Sequence, residues 1–117
     1  MKTFWCYIMS NKSRQLYTGL TDDIFKRVFE HKNKLYPSSF TAQYVYDMLV
    51  HYEEYGSAAS ASAREKEIKG WRREKKLNLI LSENPDWVDL SLEWQDNEGW
   101  NLLPDAQTRL KRKAMKD

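Results

Sequence analysis

Cysteine occurs once in this chain of 117 residues, at Cys6, and histidine only twice, at His31 and His51. One cysteine cannot close an intrachain disulfide, so a reducing cytoplasm is the expected setting. With two histidines beside it, none of the spacings that hold structural zinc can be assembled. Long apolar runs are missing too: the most apolar stretch, "FWCYIM", is far too short to cross a bilayer, and no plausible signal-cleavage site follows it. Neither export nor membrane insertion is expected. Internal repeats and low-complexity segments are also lacking. What remains, 41% hydrophobic and 31% charged residues, is the composition of a soluble globular protein with one modest core.

Basic residues desert one stretch altogether. Between Leu77 and Thr108 there is no Lys or Arg against seven acids, whereas "REKEIKGWRREKK" from Arg64 to Lys76 holds seven bases and three acids. The tail from Arg109 holds five bases and one acid, so the net charge of +2 hides a strong segregation. Mutual neutralisation across a packed surface is one reading, since charge runs are usually solvated faces. A basic face for a polyanion, with Arg72 and Lys76 touching phosphates, is the other.

Along the chain, "TFWCYIMS" is β-branched and aromatic enough for a strand near residues 3–10, and "RQLYTG" reads as its hairpin partner near 15–19 across the polar turn "SNKSR". A helix follows from about Asp22 to Lys32, with Thr21 as N-cap and two acids at the positive end of its dipole. "NKLYPSSFT" is a loop punctuated by Pro37 and two serines. "AQYVYDMLVHYEEY" alternates as a third strand near 43–53, with Tyr44, Tyr46, Met48 and Val50 on one side. Gly56 and Ser57 stop it and cap a long helix through about Lys76. "LNLILSENPDWVDL" reads as a short helix ended by Asn84-Pro85, then a turn and a further apolar piece. This order predicts an α/β or α+β domain over residues 1–92, a small three-stranded, mainly antiparallel sheet flanked by helices. Residues 93–117 form a C-terminal extension with no clear core-facing stripe, expected to be partly mobile.

Two helical patterns stand out. On a wheel of about 100° per residue, Ile24, Phe25, Val28 and Phe29 cluster while Lys26 and Glu30 fall opposite. Arg27 and His31, one turn apart, share a strip where core meets solvent, as a cleft wall would. In the long helix Ala58, Ala61, Glu65, Ile68 and Arg72 share a strip, so Glu65 interrupts an apolar stripe. A carboxylate facing a core is costly unless paired or bound to a cation, and by periodicity alone an ion pair or a rim position accounts for it. Gly19 suits a strand end or a close backbone approach. His51 reads as a structural histidine, Cys6 as a small core residue, and Trp71 and Trp87 as packing between helices.

In chain order there is a tyrosine on the first strand (Tyr7), a Tyr-x-Gly on the second (Tyr17, Gly19), Arg27 and His31 on the next helix, then Glu65 on a basic helix. This constellation resembles the GIY-YIG nuclease family, over roughly Thr3 to Leu90. It is most similar to small stand-alone bacterial members, whose second half resembles "REKEIKGWRREKKLNLI" and "NPDWVDL". Trp5-Cys6-Tyr7 stands where the family often has Gly-Ile-Tyr, and Tyr17-Thr18-Gly19 where it has Tyr-Ile-Gly. Leu20 stands where some members carry a lysine.

The resemblance implies a DNA endonuclease acting on phosphodiesters in repair or recombination, with Mg²⁺ or Mn²⁺ as cofactor. Such cleavage needs a base for water, positive charge for the transition state and a Lewis acid near the leaving oxygen. By resemblance, Tyr7 and Tyr17 project from adjacent strands toward one phosphate, Arg27 offers it a fork of donors, and Tyr7, Tyr17 or His31 activates water. Glu65 holds the metal through one carboxylate, and Asn78, rather than Asn84, lines the site. Arg27 and His31 then form a cleft beside Glu65. Branched or single-stranded DNA is the expected partner, with a protein partner or homodimer also in view. The alternative is a catalytically weak nucleic-acid-binding module or a protein adaptor on the same fold, which the acidic segment 83–98 would suit.

Overall fold

The first strand, where apolar and aromatic residues are densest, becomes the middle of the sheet. In the computed structural model, which describes residues 2–33 and 46–95, β1 (Phe4–Ser10) pairs antiparallel with β2 (Leu16–Thr21) on one side and β3 (Met48–Tyr55) on the other. Helices α1 (Ile24–Lys32), α2 (Ala58–Lys69), α3 (Arg73–Glu83) and the short α4 (Leu92–Gln95) complete the described chain. The expected α+β architecture, a three-stranded antiparallel sheet flanked by helices, is the one observed.

Alternation along β1 builds a core on each face of the sheet. Trp5, Tyr7 and Met9 join Ile24, Phe25 and Val28 of α1, together with Tyr46, Leu49 and Trp94. Cys6 and Ile8 join Val50, Ile68 of α2, Ile80 of α3 and Trp87. Helices on both faces are why β1 is buried throughout from Trp5 to Met9. Between Ile8, opposite His51, and Met9, opposite Leu49, the register shifts. Val50 is the extra residue of this bulge, which ends the strict alternation expected for β3.

Several boundaries differ from those read in sequence. Thr21 is the last residue of β2 rather than a cap; its hydroxyl accepts from the Asp23 N–H at 3.0 Å. Asp23 caps α1 instead, its carboxylate accepting from the Lys26 N–H. β3 starts at Met48 and runs to Tyr55; the expected strand residues 43–45 lie outside the described residues, as does most of the expected loop. Ser57 does cap α2, accepting from the Ser60 N–H.

The long helix expected through Lys76 is two helices. Gly70 ends α2 with its N–H on the carbonyls of Lys66 and Glu67, and the Trp71 N–H turns back to Ile68. α3 then restarts at Arg73 and absorbs the short helix expected from Leu77. The corner lets Ile68 and Ile80 reach the same apolar layer, which a straight rod would not allow.

After α3, residues 84–95 pass around the free edge of β3. Asn84 donates to the Val50 carbonyl, Asp89 accepts from the Leu49 N–H, and the Leu90 N–H reaches the Leu49 carbonyl. Asp89 also pairs with Lys32 at the end of α1. Trp87 thereby plugs one core layer and Trp94 the other. Beyond Gln95, the expected C-terminal extension lies outside the described residues.

Candidate active site

The antiparallel register sets Tyr7 directly across from Gly19 and Tyr17 across from Met9, so both tyrosines emerge on the α1 face. A Cβ on Gly19 would stand 2.5 Å from the Cζ and hydroxyl oxygen of Tyr7. The missing side chain is therefore the space the Tyr7 ring occupies. From that position the Tyr7 hydroxyl lies 3.1 Å from His31 Nε2. Tyr17 packs edge-on against His31 with ring centroids 5.1 Å apart, and lies 6.3 Å from the Tyr7 ring. The two phenols thus share one face and one histidine, as the resemblance implies.

His31 lies deeper than the helix wheel indicates, at 4% exposure, while Arg27 stays at the rim in an ion pair with Glu30 at 3.6 Å. Burial, and after it the charge of Arg27, pull the His31 imidazole down to about 4. At neutral pH it is uncharged, and such a ring accepts a proton through one nitrogen only. Tyr7 is almost fully buried and Tyr17 only partly, so Tyr17 is the phenol open to a substrate.

Glu65 comes from the other side. It sits between buried Ala61 and Ile68 on α2, which packs on the Cys6 face of the sheet. Its carboxylate is one-sixth exposed and bonds Lys69 Nζ through Oε2 at 2.9 Å. The Cys6 thiol, pushed up to about 12 by burial, feels the charges of Glu53 and Glu65 as well. The described residues therefore unite Tyr7, Tyr17, Gly19, Arg27 and His31, whereas the carboxylate expected beside Arg27 and His31 is presented from a helix on the opposite face. Among the described residues no group of three or more His, Cys, Asp or Glu converges on a metal position. A lone carboxylate with one oxygen engaged by a lysine fits a magnesium ion held mainly by water and phosphate, and does not fit an all-protein cage.

The remaining expected residues are dispersed. Arg72 is exposed at the α2–α3 corner and Lys76 half-buried one turn on, so the basic stretch is split between two helices. Asn78 is exposed on α3 and away from the tyrosine face. The buried asparagine is Asn84, which bonds the backbone of Val50 and Val88 and closes the turn after α3. Trp87 and Trp71 both pack against the second core layer, as expected.

Two features escaped the sequence reading. Tyr46, 4% exposed, stacks 5.8 Å from Tyr17 and walls the tyrosine group; it sits just before β3, where alternation no longer applies. On the other face Glu53 accepts from Tyr55 (2.6 Å) and from both Nε and Nη2 of Arg64 (2.9 and 3.2 Å), and lies 2.7 Å from His51 Nε2. Burial pushes the Glu53 carboxyl up, but these hydrogen bonds outweigh it and leave it at about 2. The i, i+2 spacing of His51, Glu53 and Tyr55 was the signal available for this network.

A family model described as the GIY-YIG catalytic domain matches residues 3–78. A UPF0213 protein of Haloquadratum walsbyi is 39% identical over 75 residues, covering 64% of this chain and 83% of that protein. One from Syntrophus aciditrophicus is 36% identical over 86 residues, covering 74% and 98%. Among solved structures, the solution NMR structure of a UPF0213 protein from Bacillus halodurans aligns with a TM-score of 0.50 and 25% identity, over 77% of this chain and 96% of that one.

Proposed function

Because the chain belongs to the GIY-YIG family, a nuclease superfamily, we propose that it is a divalent-metal-dependent endonuclease that hydrolyses phosphodiester bonds in DNA. The observation that carries this reading is the Tyr7–Tyr17–His31 group, held over Gly19 with Arg27 at its rim. In the proposed reaction Tyr17, the more open phenol, receives the attacking water. Tyr7 donates its hydroxyl proton to the neutral imidazole of His31, which fixes both rings and leaves the Tyr7 oxygen lone pairs facing the site. Arg27, permanently charged, takes the phosphate oxygens in its fork of donors. Glu65 is the carboxylate that would hold Mg²⁺ or Mn²⁺, which when bound supplies a Lewis acid; it rises from the helix across the sheet, so such an ion would meet the substrate from that side rather than from within the tyrosine group. Branched or single-stranded DNA of the kind met in repair and recombination is the proposed substrate.

The test is cleavage of single-stranded, duplex, flapped and branched DNA by the parent and by Tyr17→Phe, with Mg²⁺, Mn²⁺ or a chelator. Removing one acid–base hydroxyl should slow cleavage about 10²- to 10⁴-fold, and chelation should abolish it. Cleavage that persists in chelator, or that ignores the loss of the Tyr17 hydroxyl, would overturn the proposal.

A further inference from the structure

The segment "NPDWVDL" is a strap that takes hold of two elements at once. Asn84 donates to the Val50 carbonyl at 3.2 Å and the Leu90 N–H reaches the Leu49 carbonyl at 2.8 Å, so the strap is fastened to the bulge of β3. Asp89 divides its carboxylate between that edge and α1. Its Oδ1 accepts from the Leu49 N–H at 3.1 Å and from the N–H and hydroxyl of Ser91 at 3.0 and 2.7 Å. Its Oδ2 takes the ammonium of Lys32, which lies 57 residues away in sequence and is the last residue of α1. Both side chains are largely withdrawn from water, Lys32 at 18% exposure and Asp89 at 9%. Further along, Trp94 packs on Phe25 in the first turn of α1 with ring centroids 4.4 Å apart. The strap thus grips α1 near both of its ends.

A helix of 9 residues is too short to stand in water by its own propensity, and its last turn, whose carbonyls lack partners within the helix, frays first. That last turn carries His31, directly before Lys32. Tyr7 and Tyr17 come from the sheet and His31 from α1, so the 3.1 Å contact between the Tyr7 hydroxyl and His31 Nε2 spans the gap between sheet and helix. Whatever ties this helix end to the sheet also sets that contact. Asp89 makes such a tie, from the Leu49 backbone on β3 to the residue after His31. We propose that Asp89 is a positioning residue of the tyrosine group, acting through Lys32 to hold the His31 ring against Tyr7. It works at one remove, since its partners are Lys32, Leu49 and Ser91. Around the ring, the groups that carry or can gain charge are Arg27, Glu30 and Lys32 on α1 and the phenols of Tyr7, Tyr17 and Tyr46, with Asp89 behind Lys32. The inference rests on the nuclease reading for the reaction that the positioned ring serves.

Asp89→Asn isolates the tie: the amide oxygen can still accept from Leu49 and Ser91, while the amide nitrogen turns donors toward the Lys32 ammonium. The readout is the titration of the His31 imidazole by proton NMR on the full chain, well below the melting temperature. Charge alone would push its midpoint further down, since a carboxylate is gone and Lys32 is left uncompensated. Loss of position does the reverse, because a ring released from its buried place regains water, and the midpoint should climb from about 4 toward 6.5. Lys32→Met should climb likewise, the double variant should climb no further than either single one, and Lys32→Arg, which keeps the pair, should leave the midpoint in place. In cleavage assays Asp89→Asn should lower kcat by up to about 10²-fold with KM kept, because a ring is misplaced and no grip on substrate is lost. Lys26→Gln, exposed on α1, should change neither. If Asp89→Asn does not fold, Lys32→Met carries the test through nuclear Overhauser contacts between the Tyr7 and His31 rings, which weaken if the tie holds the ring and persist if it does not. A His31 midpoint that falls or stays at about 4 in Asp89→Asn, or an unchanged kcat in a protein whose parent does cut DNA, would overturn the proposal. The titration needs no DNA, so a parent that cuts none would remove the nuclease reading while the tie between Asp89 and His31 is still decided by the midpoint.

Discussion

Placing a methyl group on Gly19 tests the tyrosine group more sharply than removing any of its members. No left-handed backbone is required at Gly19, so an alanine there suits the strand and by itself would stabilise by about 0.4–1 kcal/mol through the unfolded chain. Against that stands the Tyr7 ring, whose Cζ, hydroxyl and Cε1 would lie 2.5, 2.5 and 2.8 Å from the new carbon. The ring cannot swing aside cheaply, being 1% exposed and bonded to His31. Overpacking of this kind costs about 1–3 kcal/mol, and losing the Tyr7–His31 hydrogen bond adds about 1 kcal/mol. Gly19→Ala should then destabilise by a net of about 1–3 kcal/mol, a fall in Tm of roughly 4–12 °C for a domain of this size. The decisive measurement is a double-mutant cycle by denaturant unfolding. In a Tyr7→Leu background the obstacle is gone, and the same substitution should become neutral or slightly stabilising. An equal cost in both backgrounds would show that the backbone, not the ring, demands glycine, and would refute the close-packed account of the site.

Glu65→Gln removes an i, i+4 pair with a half-exposed lysine, worth about 0.2–0.5 kcal/mol, so Tm should move by no more than about 2 °C while metal-dependent cleavage is lost; a loss of several kcal/mol would mark Glu65 as a structural residue. His31 has a folded value of about 4 against 6.5, so its contribution to stability is complete above pH 6.5 and drains away as pH falls toward 4, by up to roughly 3 kcal/mol. His31→Gln should flatten that part of a stability–pH curve. Glu53, depressed from 4.5 to about 2, likewise stabilises above pH 4.5 and stops doing so as pH falls toward 2. Glu53→Gln should cost about 2 kcal/mol at neutral pH, by leaving Arg64 facing an uncharged partner, and should remove that acid limb; equilibrium unfolding at pH 7 and pH 3 checks both statements.

Local rules carried far in this chain. Alternation in "TFWCYIMS", the turn at "SNKSR" and the capping serine Ser57 were enough to locate β1, the hairpin and the start of α2, because each depends on neighbours within a few residues. The order of Tyr7, Tyr17, Gly19, Arg27, His31 and Glu65 was enough to point to the family, and the first five of these residues do converge. Distance along the chain defeated the same rules elsewhere. Gly70 breaks a helix that periodicity alone would continue, since what rewards the break is Ile80 reaching a layer built by Cys6, Ile8 and Val50. Asn78 and Asn84 look alike in sequence, and only the proximity of Val50 makes Asn84 the buried one.

Residue identity, spacing and strand period, all properties of short segments, determined by themselves that this is a small α+β protein, and the order of two tyrosines, an arginine and a histidine pointed to a nuclease superfamily. The tertiary structure alone decided which face each group occupies, that Gly19 is room for the Tyr7 ring, that Glu65 rises from the helix across the sheet, and that Lys32 and Asp89 meet over a gap of 57 residues. Those outcomes depend on strand pairing and on the packing of helices against a twisted sheet, where the contacting groups are distant in sequence and no local pattern encodes their meeting.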